Sequence, residues 1–157
     1  MMSTAFTIRE ATSLDIPEVL RQRRGMYFDM GYRDEVGLDG MVATSQHYLK
    51  EAMANGSLHA WIAEIPDGNI AGGGVVIVSP WLSRPHSHLC KQANILNVYT
   101  YPAYRRQGVA RATMQTLIAW CRGQGFAYVS LHASADGKPL YESFGFEPNN
   151  EMRLKLR

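Results

Sequence analysis

Residues 94–126, N-I-L-N-V-Y-T-Y-P-A-Y-R-R-Q-G-V-A-R-A-T-M-Q-T-L-I-A-W-C-R-G-Q-G-F, leave few options for the fold around them. The first part, 95–101, is rich in β-branched and aromatic residues and stops at Pro102, which predicts a buried strand. In the second part Ala110, Met114, Leu117, Ile118 and Cys121 fall at offsets of four, seven, eight and eleven. That spacing makes one apolar helix face, with Arg111, Gln115 and Arg122 elsewhere on the cylinder. Between strand and helix lies Arg105-Arg106-Gln107-Gly108-Val109-Ala110. The first N–H groups of a helix have no partner inside it, so small residues and arginines there suit a phosphate or pyrophosphate.

A chain of 157 residues is expected to form one domain, with enough length to bury a core without staples. Its formal charge of +2 provides no strong field for nucleic acid or an anionic membrane. Cys90 and Cys121 match no metal spacing, and Cys121 belongs to the apolar helix face, so a reduced cytoplasmic protein is expected. Residues 1–9 lack the basic start and apolar run of a signal peptide, and no apolar run approaches the ~20 residues that span a bilayer.

The rest of the chain alternates strands and helices. Residues 6–9 read as a first strand, followed by a helix over about 14–26 that Thr12 or Ser13 can cap and in which Pro17 is tolerated. A charged, glycine-bearing loop is expected over 29–40 and a second helix over 44–54, closed by Asn55-Gly56. Residues 58–65 and 70–78 predict a hairpin turning at Pro66-Asp67-Gly68-Asn69. Gly72-Gly73-Gly74 lacks the Lys-Ser/Thr of a phosphate loop and reads as a bulge or a close backbone approach. His47, and the pair His86 and His88 in the loop 79–92, have no further ligand at a set spacing and read as surface. A strand over 126–132, a short helix holding Pro139, Leu140, Tyr141 and Phe144, a Gly145 cap and a last strand over 152–156 complete the order β α α β β β α β α β. No repeat, linker or low-complexity segment interrupts it.

This order, the turn R-x-x-G-x-A at Arg105, Gly108 and Ala110, and the closing L-Y-E-S-F-G-F together resemble the GNAT superfamily of N-acetyltransferases. The resemblance covers essentially the whole chain, and its specific part lies between Val98 and Phe146. It implies an α/β (α+β) fold: one central mixed, mostly antiparallel sheet of six to seven strands flanked by about four helices. It also implies acetyl-CoA as cosubstrate and no metal. The backbone from Arg106 through Gln107, Gly108, Val109 and Ala110 to Arg111 would wrap the pyrophosphate, with Arg105 opening the turn. Gly108 would permit the close approach. Val98, Tyr99 and Thr100 would pair through their backbone with the pantetheine arm, as an edge strand pairs with an added one. Ser134 stands where many relatives have an asparagine that contacts the same arm, and it either replaces that contact or caps the helix.

Amide formation from a thioester needs a neutral amine, a donor for the developing oxyanion and a proton for the departing thiolate. A backbone N–H near Val98 or Tyr99 is the candidate donor. Tyr141, at the family's tyrosine position, is the candidate general acid; packing against Phe144 is its other reading. Glu64, Asn97 through a water, His132 and Glu35 are all conceivable bases. The resemblance assigns one wall of the amine site to the first two helices and their loop, which offer Arg24, Tyr27, Phe28, Met30, Tyr32, Arg33, Asp34 and Glu35. Aromatics with mixed charge suit a small polar amine or a peptide N-terminus. The loop 79–92 forms either the opposite wall or a homodimer contact. An acyl-CoA-binding module without turnover is the alternative function. A nucleic-acid reading through Arg21, Arg23, Arg24, Arg105 and Arg106 lacks a basic face.

Overall fold

The computed structural model describes residues 5–157. β1 (Thr7–Glu10) leads through a 3-10 turn (Ser13–Asp15) into α1 (Ile16–Asp29), and α2 (Glu35–Ala54) follows. β2 (Leu58–Glu64), β3 (Ile70–Pro80) and β4 (Lys91–Thr100) come next, then a 3-10 turn (Pro102–Tyr104) and α3 (Val109–Gly123). β5 (Val129–Leu131) and α4 (Lys138–Ser143) complete the set.

The strands form one sheet in the order β1-β2-β3-β4-β5, antiparallel except for the parallel pair β4–β5. Alternate residues of a strand face opposite sides, and the two cores follow from that period. Ala60 and Ile62 of β2 and Val75 of β3 face Ile16, Val19 and Leu20 of α1 and Leu49 and Ala52 of α2. Trp61 and Val76, with Ala93 and Ile95 of β4, face Met114, Leu117 and Cys121 of α3. Thr12 caps the first turn: its Oγ1 accepts from the Leu14 N–H, and its own N–H donates to Asp15 at 2.8 Å.

The three glycines of β3 are close-approach sites, as expected. A Cβ on Gly72 would lie 2.2 Å from the Tyr99 carbonyl oxygen, and one on Gly73 would lie 2.4 Å from that of Trp61. One on Gly74 would meet Leu117 and Thr113 of α3 at 3.0–3.1 Å. The β3–β4 register also shifts between Gly73 and Val75, so a bulge and close contact coincide.

Three expectations need correction. Among the described residues the sheet has five strands, not six to seven. The strand expected over 152–156 does not form: Met152, Leu154 and Leu156 are 94%, 80% and 85% exposed, because the alternating pattern finds no strand to pair with. The loop expected over 29–40 is short, since α1 continues to Asp29 and α2 begins at Glu35. Gly37 and Gly40 sit inside α2, which buries Leu38 and is tied to α1 by Arg24, bonded to Glu35 and Asp39. Tertiary contact there outweighs the helix-breaking tendency of glycine.

Candidate active site

β4 and β5 pair only at Ala93–Val129, Asn94–Ser130 and Ile95–Leu131. Beyond Ile95 the strands separate, so residues 96–100 present an edge with no strand beside it. On the other edge Tyr99 and Thr100 stay in register with Gly73 and Gly72. The split begins at Asn97, which has φ 60° inside a strand and lies opposite the register shift. Its side chain fixes this bulge: 5% exposed, it donates to the Val19 carbonyl of α1 at 3.2 Å. Asparagine tolerates the left-handed region better than most residues, and its amide satisfies a backbone group of the covering helix.

After Thr100 the chain passes Pro102–Tyr104 and enters the expected anion turn. Arg106 and Gly108 both have positive φ, 62° and 84°, and Gly108 is the N-cap of α3. The first α3 amide to find a backbone acceptor is Ala112, which donates to the Gly108 carbonyl at 3.0 Å. The N–H groups of Val109, Ala110 and Arg111 are therefore left at the helix end. Two buried oxygens beside this turn, Thr100 Oγ1 and Gln107 Oε1, have no hydrogen-bond partner. Orphaned buried polar atoms are costly, and of the two only the Thr100 hydroxyl could donate to an anion.

The arginines divide. Arg106 is exposed at the turn. Arg105 folds back, donating through Nε to the Thr100 carbonyl at 2.9 Å and through Nη2 to Asp29 of α1, over the ring of Tyr99. Arg111 crosses to the ring of Phe144 at 5.3 Å and so ties α3 to α4.

Tyr141 lies on α4 in the apolar cluster that also holds Val98, Leu140 and Phe144. Its ring meets Phe146 edge-on at 6.1 Å, and a Cβ on Gly137 would come within 2.8 Å of it. Burial pushes the phenol above its ordinary value of 10, so it holds its proton at neutral pH. No protein group among the described residues hydrogen-bonds its hydroxyl. Ser134 caps the turn before α4, its Oγ accepting from the Gly137 N–H at 3.1 Å. That use of one lone pair leaves its hydroxyl hydrogen free.

On the other face α1 covers the end of β4, and a cavity of about 300 Å³ there is lined by Arg21, Arg24, Gly25, Phe28, Asp29, Tyr99 and Tyr101. Gly25 makes room for the Tyr99 hydroxyl, which would lie 2.8 Å from a Cβ at that position. The Tyr101 hydroxyl donates to Glu18 at 2.8 Å, and burial with that bond raises its pKa far above the usual range. Glu18, Gln22, Asp29 and Tyr101 escaped the sequence reading; the signal for them was an α1 stripe that mixes polar residues into the sheet-facing side. Of the conceivable bases, Glu64 is bonded to Arg9 at 2.7 Å, Glu35 is bonded to Arg24, and His132 lies 3.4 Å from Arg153. Among the described residues no three His, Cys, Asp or Glu side chains gather as metal ligands, and no helix is long and apolar enough to cross a membrane.

The site is thus a strand that parts from its neighbour beside an open helix end. Residues 24–146 match the acetyltransferase (GNAT) family, and the chain belongs to it. A GCN5-related N-acetyltransferase from Ralstonia eutropha JMP134 is 31% identical, with a TM-score of 0.88 over 97% of this chain and 99% of that one. A protein described as a predicted acetyltransferase from Clostridium acetobutylicum, solved with acetyl-CoA, shares the fold at 24% identity and a TM-score of 0.85, over 98% and 96% of the two chains. Among curated proteins, the probable N-acetyltransferase family 8 member 5 of Mus musculus is 32% identical over 68% of this chain and 44% of its own length. The glucosamine 6-phosphate N-acetyltransferase of Trypanosoma brucei brucei is 30% identical over 58% of this chain and 60% of its own. The chain thus spans about half the length of the curated relatives it matches.

Proposed function

We propose that this protein is an acetyl-CoA-dependent N-acetyltransferase acting on a primary amine of a small molecule or peptide. The observation that carries the reading is the open edge at 96–100, running into a helix start where, among the described residues, the N–H groups of Val109, Ala110 and Arg111 have no backbone acceptor. A pantetheine arm carries amide groups that suit such an edge, and a pyrophosphate suits such a turn. Arg106, Gln107, Gly108, Val109, Ala110 and Arg111 supply the turn. Val98, Tyr99 and Thr100 supply the edge, Arg105 braces it from behind, and Ser134 faces it from the start of α4.

Bound acetyl-CoA supplies an acetyl thioester, whose C–S bond breaks as the amide C–N bond forms. A backbone N–H at Val98 or Tyr99, held by the Asn97 bulge, donates to the carbonyl oxygen as negative charge develops there. Its worth comes from being aimed in advance in a partly dry slot. Tyr141 gives its proton to the departing sulfur, the proton that the amine nitrogen loses passes to solvent, and the phenol takes a proton back from solvent; its raised pKa keeps that proton available throughout the physiological range.

The test joins binding and rate. Saturating CoA is expected to raise Tm; a ligand at ~100 times its Kd adds roughly 2.7 kcal/mol. Thiol release from acetyl-CoA with an amine panel is expected, and Tyr141→Phe should lose ~100-fold or more in kcat while keeping the CoA shift. Full turnover by Tyr141→Phe would remove the general-acid role. A CoA shift without thiol release on any amine would instead mark a binding module.

A further inference from the structure

α1 and the turn after β4 carry five arginines: three are paired with carboxylates, and Arg106 is exposed at its turn. Arg21 is bonded to Glu18, Arg24 to Glu35 and Asp39, and Arg105 to Asp29. Arg23 differs: among the described residues no carboxylate reaches it, although it is only partly exposed. Its guanidinium has two contacts at the outer limit of hydrogen bonding, Asn97 Oδ1 at 3.5 Å and the Tyr27 hydroxyl at 3.4 Å. It also lies 5.1 Å from the centre of the Tyr27 ring, which is itself held edge-on by Tyr32 at 5.3 Å. The cation is thus held in place without being neutralised.

Its location gives this meaning. Asn97 is the bulge residue at which β4 leaves β5, so Arg23 stands on the α1 side of the point where the open edge begins. A guanidinium has five N–H donors in a planar fork, and two marginal contacts leave most of them unused. Such a fork matches the oxygens of a carboxylate or phosphate in a bidentate arrangement. Leaving it partly buried without an anion is unfavourable, and an incoming oxyanion would remove that cost.

We propose that Arg23 is a specificity-determining residue of the acceptor site, binding an oxyanion, carboxylate or phosphate, that the acceptor carries near its reacting amine. This rests on the acetyltransferase reading above and narrows it from amines in general to amines that bear an anionic group. The neighbouring acids do not oppose such an acceptor, since Glu18, Asp29, Glu35 and Asp39 are each engaged by another arginine. Tyr27 and Tyr32 give the same site an aromatic wall for the body of the acceptor.

The test uses acceptor pairs that differ only in the anion: amino acids against their carboxamides, and glucosamine 6-phosphate against glucosamine. Thiol release with the full-length protein should favour the anionic member of one pair by at least ~10-fold in kcat/KM, equivalent to one charge-assisted hydrogen bond. The pair that responds tells carboxylate from phosphate. Arg23→Met should collapse that preference through KM, and Arg23→Lys should restore part of it; the rise in Tm on adding CoA should persist in both and reports their folding. Neutral members used as well as anionic ones, or equal losses for both members in Arg23→Met, would overturn the assignment. CoA binding with no anionic acceptor favoured sinks this inference alone. Absence of any CoA-induced rise in Tm in the unmutated protein sinks the acetyltransferase reading, and this one with it.

Discussion

Asp15 shows how much one side chain organises at the start of the fold. It accepts two hydrogen bonds from Arg9 at 2.9 Å and one from the Thr12 N–H, so it joins β1 to the entry of α1. The Arg9 guanidinium holds its carboxyl below the ordinary value of 3.8, chiefly through that hydrogen bond. A carboxylate with a depressed folded pKa contributes stability that is complete above its unfolded value and fades as pH falls through the folded one. Asp15→Asn should therefore have a lower urea midpoint than the parent at pH 7, with the gap closing below about pH 4. A gap that stays constant from pH 7 to pH 3 would show that the pair does not couple to folding. Thr12 was legible as a cap, but the pairing of Arg9 with Asp15 was not, because that contact depends on the tertiary path of β1.

At the scale of elements, β4, the turn and α3 were readable because three local signals agree: β-branched alternation, a glycine at the helix start and a clean apolar face. α2 was only half read. Its first turns carry Gly37 and Gly40 with the acids Glu35 and Asp39, so local propensity argued for a loop, and only contact with α1 makes them helical. The two kinds of glycine should separate in thermal denaturation. Gly40→Ala meets open space within a helix and should stabilise by ~0.5–1 kcal/mol. Gly73→Ala drives a methyl against the Trp61 carbonyl and Gln22, and should cost ~1–3 kcal/mol. Equal responses would mean that β3 can move away from its neighbours. The bulge in β4 was within reach of the sequence too. An asparagine set among Leu96, Val98 and Tyr99 breaks the alternation at the point where the strand kinks.

For the molecule as a whole, the sheet is a partition with a core on each face. Five of the expected strands form, the one expected over 126–132 shrinking to Val129–Leu131, while the sixth does not form. Residues 152–156 hold an alternating pattern but bury nothing. Brief trypsin treatment should cut after Arg153 and Lys155 before any core site, and the trimmed protein should melt within ~2 °C of the parent, under about 1 kcal/mol for a chain this size. Resistance of that segment would mean that it is covered in solution. The strand, turn and helix start proposed for the donor half were legible as local structure because they are written in backbone-shaping residues close in sequence. The acceptor half was not, because Arg23 and Asn97 meet only through the packing of α1 on β4.

The bulge at Asn97 separates two ways of recognising a ligand. On one side a molecule is met by main-chain groups, which every sequence keeping the fold presents alike. On the other side it is met by the tips of α1 side chains, each free to change while the helix keeps its buried stripe of Ile16, Val19 and Leu20. On the proposed reading, a lineage built on this scaffold can drift toward new amines one α1 residue at a time and inherit the acyl carrier unaltered. Replacements at Asn97 itself have no such freedom, since both halves hang from its backbone.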